Sequence, residues 1–363
     1  GKLRTGTLSS FLLSQLMDGR HLQDHTNGQR TLLLNIQTLD WDPFLLRLFR
    51  IPRACLGHLV PAAGNLGPVR RWGLGLPLLS VLGGQLAAAL ASIPSPPRER
   101  TVLKAVCEER SRAQRGWVRA RGPTLVNYGT GAFVLMPTGP KRLRRKGLLT
   151  TLISTSKESP PLFALEGSVQ SAGSLFPWAE KTLSLGRGKG EGPARLRALD
   201  RLCRQAGRTV FCIPSHSGLA SPRWIPDLPP AFPGLRHDTP PGELARALTE
   251  SIAFSVQEIL EAAGRKNRPS ALLASGTLSG SDFLLQLQAD LAGISVRRAV
   301  EPESTLLGAA RCAWEERPIT PSLMPPPSPP RARDFCPSRR TVRRRARSRF
   351  GAWSQALDRA ISN

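Results

Sequence analysis

The stretch that most constrains the fold is 270–293, "SALLASGTLSGSDFLLQLQADLAG". It reads as a short apolar strand, a Gly/Ser turn and a helix whose expected buried face is Phe283, Leu284, Leu287 and Leu291. A long helix precedes it over 238–264. Asp238 or Thr239 is the expected cap, Pro240 and Pro241 open the helix, and Gly264 closes it. Leu244, Leu248, Ile252, Val256, Ile259 and Leu260 fall on one face of that helix. "ISVRRAV" (294–300) then reads as a strand and "TLLGAARCAWEE" (305–316) as a helix. Alternating strands and helices imply an α/β fold. A strand leading through a Gly/Ser turn into a helix N-terminus is also a common place for nucleotide phosphates.

Upstream, "TLVNYGTGAFVLMPTG" (124–139) places two β-like runs around Gly129-Thr130-Gly131, a hairpin signal. The backbone N–H groups of such a turn, with a Thr hydroxyl beside them, can cradle phosphate, although a plain hairpin turn explains the same residues. In the first sixty residues, "SSFLLSQLMDG" reads as a helix with Phe11, Leu12 and Leu16 apolar and Gly19 as its stop. "PFLLRLF" (43–49) reads as a short helix capped by Asp40 or Asp42. Residues 91–123 are Pro- and Arg-rich, as a linker or insertion would be, and 318–337 form a proline-rich linker.

The charge is unusual. Lys and Arg number 51 against 26 Asp and Glu, a net +25, and Arg supplies 43 of the 51. The densest clusters are "PKRLRRKG" (140–147) and "SRRTVRRRARSRF" (338–350). Neither is accompanied by a zinc-finger, RNP or helix-turn-helix signature. They read as a basic loop and a solvated basic tail, with sequence-independent polyanion binding as the alternative. The six cysteines are scattered without CxxC spacing, which points to a reducing compartment and the cytoplasm rather than a disulfide framework or zinc site. No histidine pair has metal-ligand spacing. The start shows no signal peptide. The uncharged run 72–97 is long enough to span a bilayer, but Pro77, Gln85 and four glycines, including Gly83-Gly84 near its centre, argue against a membrane helix. Two motif-like stretches carry no chemistry. "GRGKGEG" (186–192) lacks the Ser or Thr a phosphate loop needs after Lys189, and "SHSG" (215–218) is not a triad merely because its residues are neighbours.

Ten segments in order, among them "DHTNGQRTLLLNIQTLDWD", "LPLLSVLGGQLAAAL", "NYGTGAFVLMPTG", "FALEGSVQSAGSLFPW" and "IPSHSGLASPRWIPD", make the chain resemble the glycerol kinases of the FGGY carbohydrate kinases. The resemblance implies an actin-like, ribonuclease-H-like α/β architecture of two domains. Residues 1–95 would be the C-terminal part of the first domain, 96–123 an insertion, 124–317 a full second domain, and 318–363 a linker and terminal helix. It further implies ATP and magnesium as cofactors, glycerol as phosphoryl acceptor, no membrane partner, and leaves a homo-oligomer open.

By the same resemblance Thr130, Gly173, Gly276, Thr277 and Ser281 fall at the nucleotide, and Gln85 and Phe133 at glycerol. The family's catalytic aspartate falls at Gly84, and no Asp or Glu lies between Asp42 and Glu99. The family's Asp-Gly-Gly becomes Ser275-Gly276-Thr277, and a family Gln becomes Pro177 in an expected helix, where proline would remove a hydrogen bond. The segments that in the family form the first phosphate hairpin and part of the glycerol pocket have no counterpart in the sequence. The chain by itself is therefore expected to be impaired or inactive as a kinase, with a non-catalytic binding protein as the alternative and a basic polyanion-binding module as a third reading.

Overall fold

The computed structural model describes residues 3–73, 75–83, 124–155, 160–183, 192–299 and 333–362. The expected insertion (96–123), the helix expected over 305–316 and most of the proline-rich linker lie outside them.

The architecture is built on a seven-stranded mixed sheet. Its strands are β7 (Thr124–Tyr128), β8 (Ala132–Gly139), β9 (Leu149–Ser154), β10 (Leu162–Val169), β11 (Ala271–Ser275), β12 (Ser295–Arg298) and β13 (Arg333–Phe335), in the order β13-β12-β11-β7-β8-β10-β9. β11 runs parallel to both β7 and β12, and the other neighbours are antiparallel. The expected 124–139 hairpin is β7–β8, with Tyr128 opposite Ala132. β8 alternates as a strand should: Ala132, Val134 and Met136 enter the main core, whereas Leu135 enters a smaller cluster with Leu125, Ile153, Ala164 and Leu273.

Among the described residues five helices accompany this sheet: α4 (Leu175–Thr182), α5 (Gly192–Gln205), α6 (Pro241–Ala262), α7 (Asp282–Ala292) and α8 (Arg340–Ser362). α6 is the long helix expected from the sequence, and Leu248, Ile252, Val256, Ile259 and Leu260 are all buried. Its cap differs from expectation. Pro240 occupies the N-cap position without a side-chain bond, because the Thr239 hydroxyl instead accepts Arg236 N–H in the preceding turn. In α7, Leu284, Leu285 and Leu291 are the buried leucines. Phe283 is only half-buried and lies under the Arg246 guanidinium.

The basic C-terminal segment is not a solvated tail. β13 adds to the sheet edge, and α8 buries Phe350, Trp353 and Leu357 in the main core. Phe350 and Trp353 lie 5.8 and 5.5 Å from the Phe254 ring of α6. Trp353 Nε1 donates to Cys212 O at 2.8 Å. Arg349 donates to Glu250 Oε2 and to the carbonyls of Arg208 and Val210. Six arginines in the first ten residues of α8 hide this apolar stripe in the sequence.

The N-terminal part contributes α1 (Leu8–Leu16), α2 (His25–Gly28), α3 (Pro43–Leu48), a parallel pair β1 (Leu22–Asp24) and β4 (His58–Val60), and two small antiparallel pairs, β2–β3 (Leu34–Asn35, Asp40–Trp41) and β5–β6 (Pro68–Val69, Leu76–Pro77). α1 turns a different face inward from the one expected. Leu13 and Met17 are buried while Phe11 and Leu12 are exposed, because the Ser10 hydroxyl donates to Leu22 O and draws the 10–13–17 face onto β1. Asp42, rather than Asp40, caps α3, accepting from Phe44 and Leu45 N–H. Among the described residues no helix is long and apolar enough to cross a membrane.

The two parts are joined by specific polar contacts. The Gln29 amide pairs with edge strand β9, donating to Leu152 O at 3.0 Å and accepting Leu152 N–H at 2.7 Å. Arg30 forms a two-pronged bond, 2.9 Å on each arm, with the buried Glu166 of β10. Leu33, Leu34, Trp41 and Leu46 share a cluster with Leu152 and Phe163.

Candidate functional site

Adjacent parallel strands β7 and β11 end side by side, Ser275 opposite Asn127, and each runs straight into a glycine. Ligands in α/β sheets commonly bind at such carboxyl ends. Gly276 leaves β11 with φ 84° and ψ 167°, a conformation open essentially to glycine alone. A Cβ there would stand 2.4 Å from Asn127 Oδ1 and 2.6 Å from Tyr128 O. Glycine is therefore what allows the two strand ends to meet.

A third turn clamps the hairpin. Gly173 N–H donates to Gly129 O at 2.9 Å, and Ala172 and Ser174 N–H both donate to Thr130 O at 3.0 Å. A Cβ on Gly173 would lie 2.6 Å from Gly129 O. The carbonyls of the turn are thereby occupied. Thr130 is exposed, and no hydrogen bond among the described residues engages its hydroxyl. Tyr128, next to the turn, is wholly buried. Its hydroxyl donates to Gln288, and burial pushes the phenol further up, so it remains neutral.

These turns open onto a cavity of about 560 Å³. Gly129, Thr130, Gly173, Ser174 and Thr277 line it together with apolar Phe176, Leu196, Leu199, Leu202 and Leu248. An ion pair between Glu180 of α4 and Arg195 of α5 lies on its wall. A polar turn region beside an apolar wall suits a ligand with an anionic end and a flat apolar end.

The structure thus brings Thr130, Gly173 and Thr277 to one cavity, with Gly276 shaping its floor. It does not bring Ser281 there. The Ser281 hydroxyl caps α7, accepting Leu284 N–H at 3.1 Å, and donates to Asp200 Oδ1 at 2.5 Å. Asp200 Oδ2 accepts Asp282 and Phe283 N–H at 2.8 and 3.2 Å, so two side chains together cap one helix. Pro177 removes no helical hydrogen bond. It sits in the first turn of α4, where N–H groups have no intrahelical acceptor.

Phe133, one register position from Val134, belongs to the opposite face of the sheet, the face on which Leu82 packs. Gly84 and Gln85 lie outside the described residues. Their approach is visible as far as Gly83, whose N–H donates to Thr26 Oγ1 at 3.0 Å, while Thr26 donates to the buried Asp24 at 2.5 Å. The loop at 186–191 is also outside the described residues. "SHSG" is no triad: the Ser215 hydroxyl donates to Pro229 O, and the His216 ring stacks on Trp178.

Sequence reasoning missed α5, which supplies Arg195, Leu196, Leu199 and Leu202 to the cavity and Asp200 to the cap. The signal was the apolar spacing 196, 199, 203 in "PARLRALDRLCRQ", diluted by four arginines.

Residues 124–314 match the C-terminal domain of the FGGY family of carbohydrate kinases, and residues 2–90 match its N-terminal domain. The chain belongs to the FGGY carbohydrate kinase family. Among curated relatives it is 33% identical to a glycerol kinase of Alkalilimnicola ehrlichii over 373 residues, covering 99% of this chain and 69% of that protein. It is 36% identical to a glycerol kinase of Thermus brockianus over 315 residues, covering 85% of this chain and 58% of that protein. A crystal structure of Plasmodium falciparum glycerol kinase with ADP superposes with a TM-score of 0.73 at 23% identity, over 98% of this chain and 66% of that one. The α/β sheet with its glycine-bounded cavity is accordingly the actin-like fold of the FGGY kinases.

Proposed function

We propose that this FGGY kinase chain is glycerol kinase-like and holds ATP or ADP at the β7/β11 cavity, with the phosphates at Gly129–Gly131 and the base against α5 and α6. The observation that carries the reading is the convergence of three glycine turns on one cavity, with the Thr130 hydroxyl left free to donate. The residues present fit the nucleotide. The apolar wall can cover a base, and the hairpin offers a hydroxyl and a backbone turn to phosphate. Among the described residues no cluster of three or more His, Cys, Asp or Glu side chains could hold a metal ion. Magnesium, which binds largely through substrate phosphates and water, would come in with the nucleotide and neutralise charge there.

The acceptor polyol would lie on the Phe133 side, the face on which Leu82 packs. Transfer needs a carboxylate to take the acceptor's proton, and residue 84 is glycine. Loss of a general base lowers rate by roughly 10² to 10⁴. The reading is therefore a nucleotide-binding FGGY chain with glycerol phosphorylation impaired or absent. Calorimetric titration of the chain with magnesium–ADP tests binding, and Thr130→Ala should weaken it by about fivefold to tenfold, one hydrogen bond's worth. A coupled ADP-release assay with glycerol tests turnover. Lack of ADP binding would refute the site, and turnover at the level of an intact glycerol kinase would refute the role given to Gly84.

A further inference from the structure

The two basic clusters of the sequence are not separate in space, and the kinase reading uses neither. α6 and α7 end at the same side of the domain, where the first half of α8 crosses them. The carbonyl ends of these helices are decorated with cations. Arg145, from the 140–147 loop, donates through Nε to Ala263 O at 3.2 Å, just past α6. Arg265 and Lys266 follow in the next turn, are exposed, and have no hydrogen-bond or ion-pair partner among the described residues. Arg268 donates to Ala292 O at the end of α7. Arg343 of α8 reaches the same spot: Arg268 Nη2 and Arg343 Nη1 lie 3.3 and 3.6 Å from where a Cβ on Gly293 would stand.

Cations at helix C-termini are favoured by the helix dipole, which accounts for Arg145 and Arg268. It does not account for Arg343, whose Nε is shielded from solvent with no acceptor. Two carboxylates lie at these helix ends and both are engaged elsewhere: Glu261 with Arg347 at 2.6 Å and with Gln257, and the buried Asp290 with Ser338 and Gln286. Five cations thus share a surface with no carboxylate partner of their own among the described residues.

We propose that this surface, formed by Arg145, Arg265, Lys266, Arg268 and Arg343, docks the phosphate backbone of duplex nucleic acid without reading its sequence. Guanidinium groups match phosphate oxygens in pairs, which favours a phosphate polyanion over a carboxylate one. A membrane surface fits less well. Interfacial binding requires large apolar side chains among the cations, and the one such exposed residue on this stretch of α8 is Val342. Single-strand binding needs a series of exposed aromatic rings, and Trp224, half-exposed beside the 140–147 loop, is a single ring with no exposed aromatic of the described part of α8 beside it.

The test is fluorescence anisotropy of the full chain with a labelled 30-base-pair duplex of arbitrary sequence, titrated from 50 to 300 mM salt. Replacing Arg265 and Lys266 by Ser (R265S/K266S) should weaken binding at least tenfold at 100 mM salt. It should also flatten the slope of log K against log salt by about 1.8, two phosphate contacts' worth. R47S/R50S, which removes the same charge from exposed positions in and just after α3, should change affinity less than twofold. Equal losses in the two variants would show diffuse charge and overturn the proposal. So would retention of affinity in R265S/K266S, preference for one sequence over a scrambled duplex, tighter binding to single strands, or binding to phosphatidylserine vesicles without binding to the duplex.

Discussion

Removing the Asp200 carboxylate should loosen the cavity wall and the start of α7 together. In Asp200→Ala three donors lose their acceptor at once: the Ser281 hydroxyl and the N–H groups of Asp282 and Phe283. Loss of a helix cap costs about 1 kcal/mol and up to about 2. Leaving the buried hydroxyl unsatisfied costs about 1–3 kcal/mol more. The contributions overlap, since all three donors sit at one helix end, and a total near 3 kcal/mol is expected. For a unit of this size that corresponds to a fall in Tm of about 6–12 °C. Asp200→Asn retains one acceptor oxygen and should lose roughly half as much. Thermal unfolding followed by circular dichroism measures both. Ser281→Ala sharpens the test, because capping and nucleotide contact predict different outcomes. As a cap, Ser281 should contribute about 1–2 kcal/mol to stability and nothing to ADP affinity. A Tm within 2 °C of the parent for Asp200→Ala, or an ADP affinity that falls in Ser281→Ala at unchanged Tm, would refute the reasoning.

Two further outcomes are expected. Trp353→Ala should destabilise by about 3–5 kcal/mol, from the core volume lost and the orphaned Cys212 carbonyl, and urea unfolding that shows less than 1 kcal/mol would return α8 to the status of a tail. Asp282 gives a pH signature. Burial alone would raise its carboxyl, but the hydrogen bond and charge of Arg298, with Arg333, hold it below its ordinary 3.8. A depressed folded value means the contribution is complete above 3.8 and is lost as pH falls through the lower folded value, so Asp282→Asn should flatten the acid limb of the stability profile below about pH 4. An acid limb identical to the parent's would remove Asp282 from the account.

What could be read from the sequence, and what could not, divides by the range over which a residue's role is decided. The turn at Gly129–Gly131 was legible because two β-like runs flank it, and Gly276 because a Gly/Ser turn separates strand from helix; what the sequence does not show is the tertiary reason, since a Cβ on Gly131 would stand 2.7 Å from Val169 O and one on Gly276 2.4 Å from Asn127 Oδ1. The α6 helix was legible for a similar reason, since twenty-two residues of 3.6-fold spacing between Pro240 and Gly264 outweigh any single contact. Ser281 was not. Its type suits both a polar ligand and a helix cap, and the decision rests with Asp200, eighty-one positions earlier, on a helix whose own pattern was blurred by arginines. The same blurring hid α8, where Phe350, Trp353 and Leu357 recur at helical spacing but follow a run of guanidiniums that composition alone assigns to solvent. Arg349 lies flat on the domain: it covers the Phe211 ring at 4.4 Å while its ends bond two carbonyls and Glu250. An arginine-rich segment can therefore be core-forming when its aliphatic stems and planar heads are used as packing. At the end of α6, Arg265 and Lys266 have no such use among the described residues, and their charge is available to a partner.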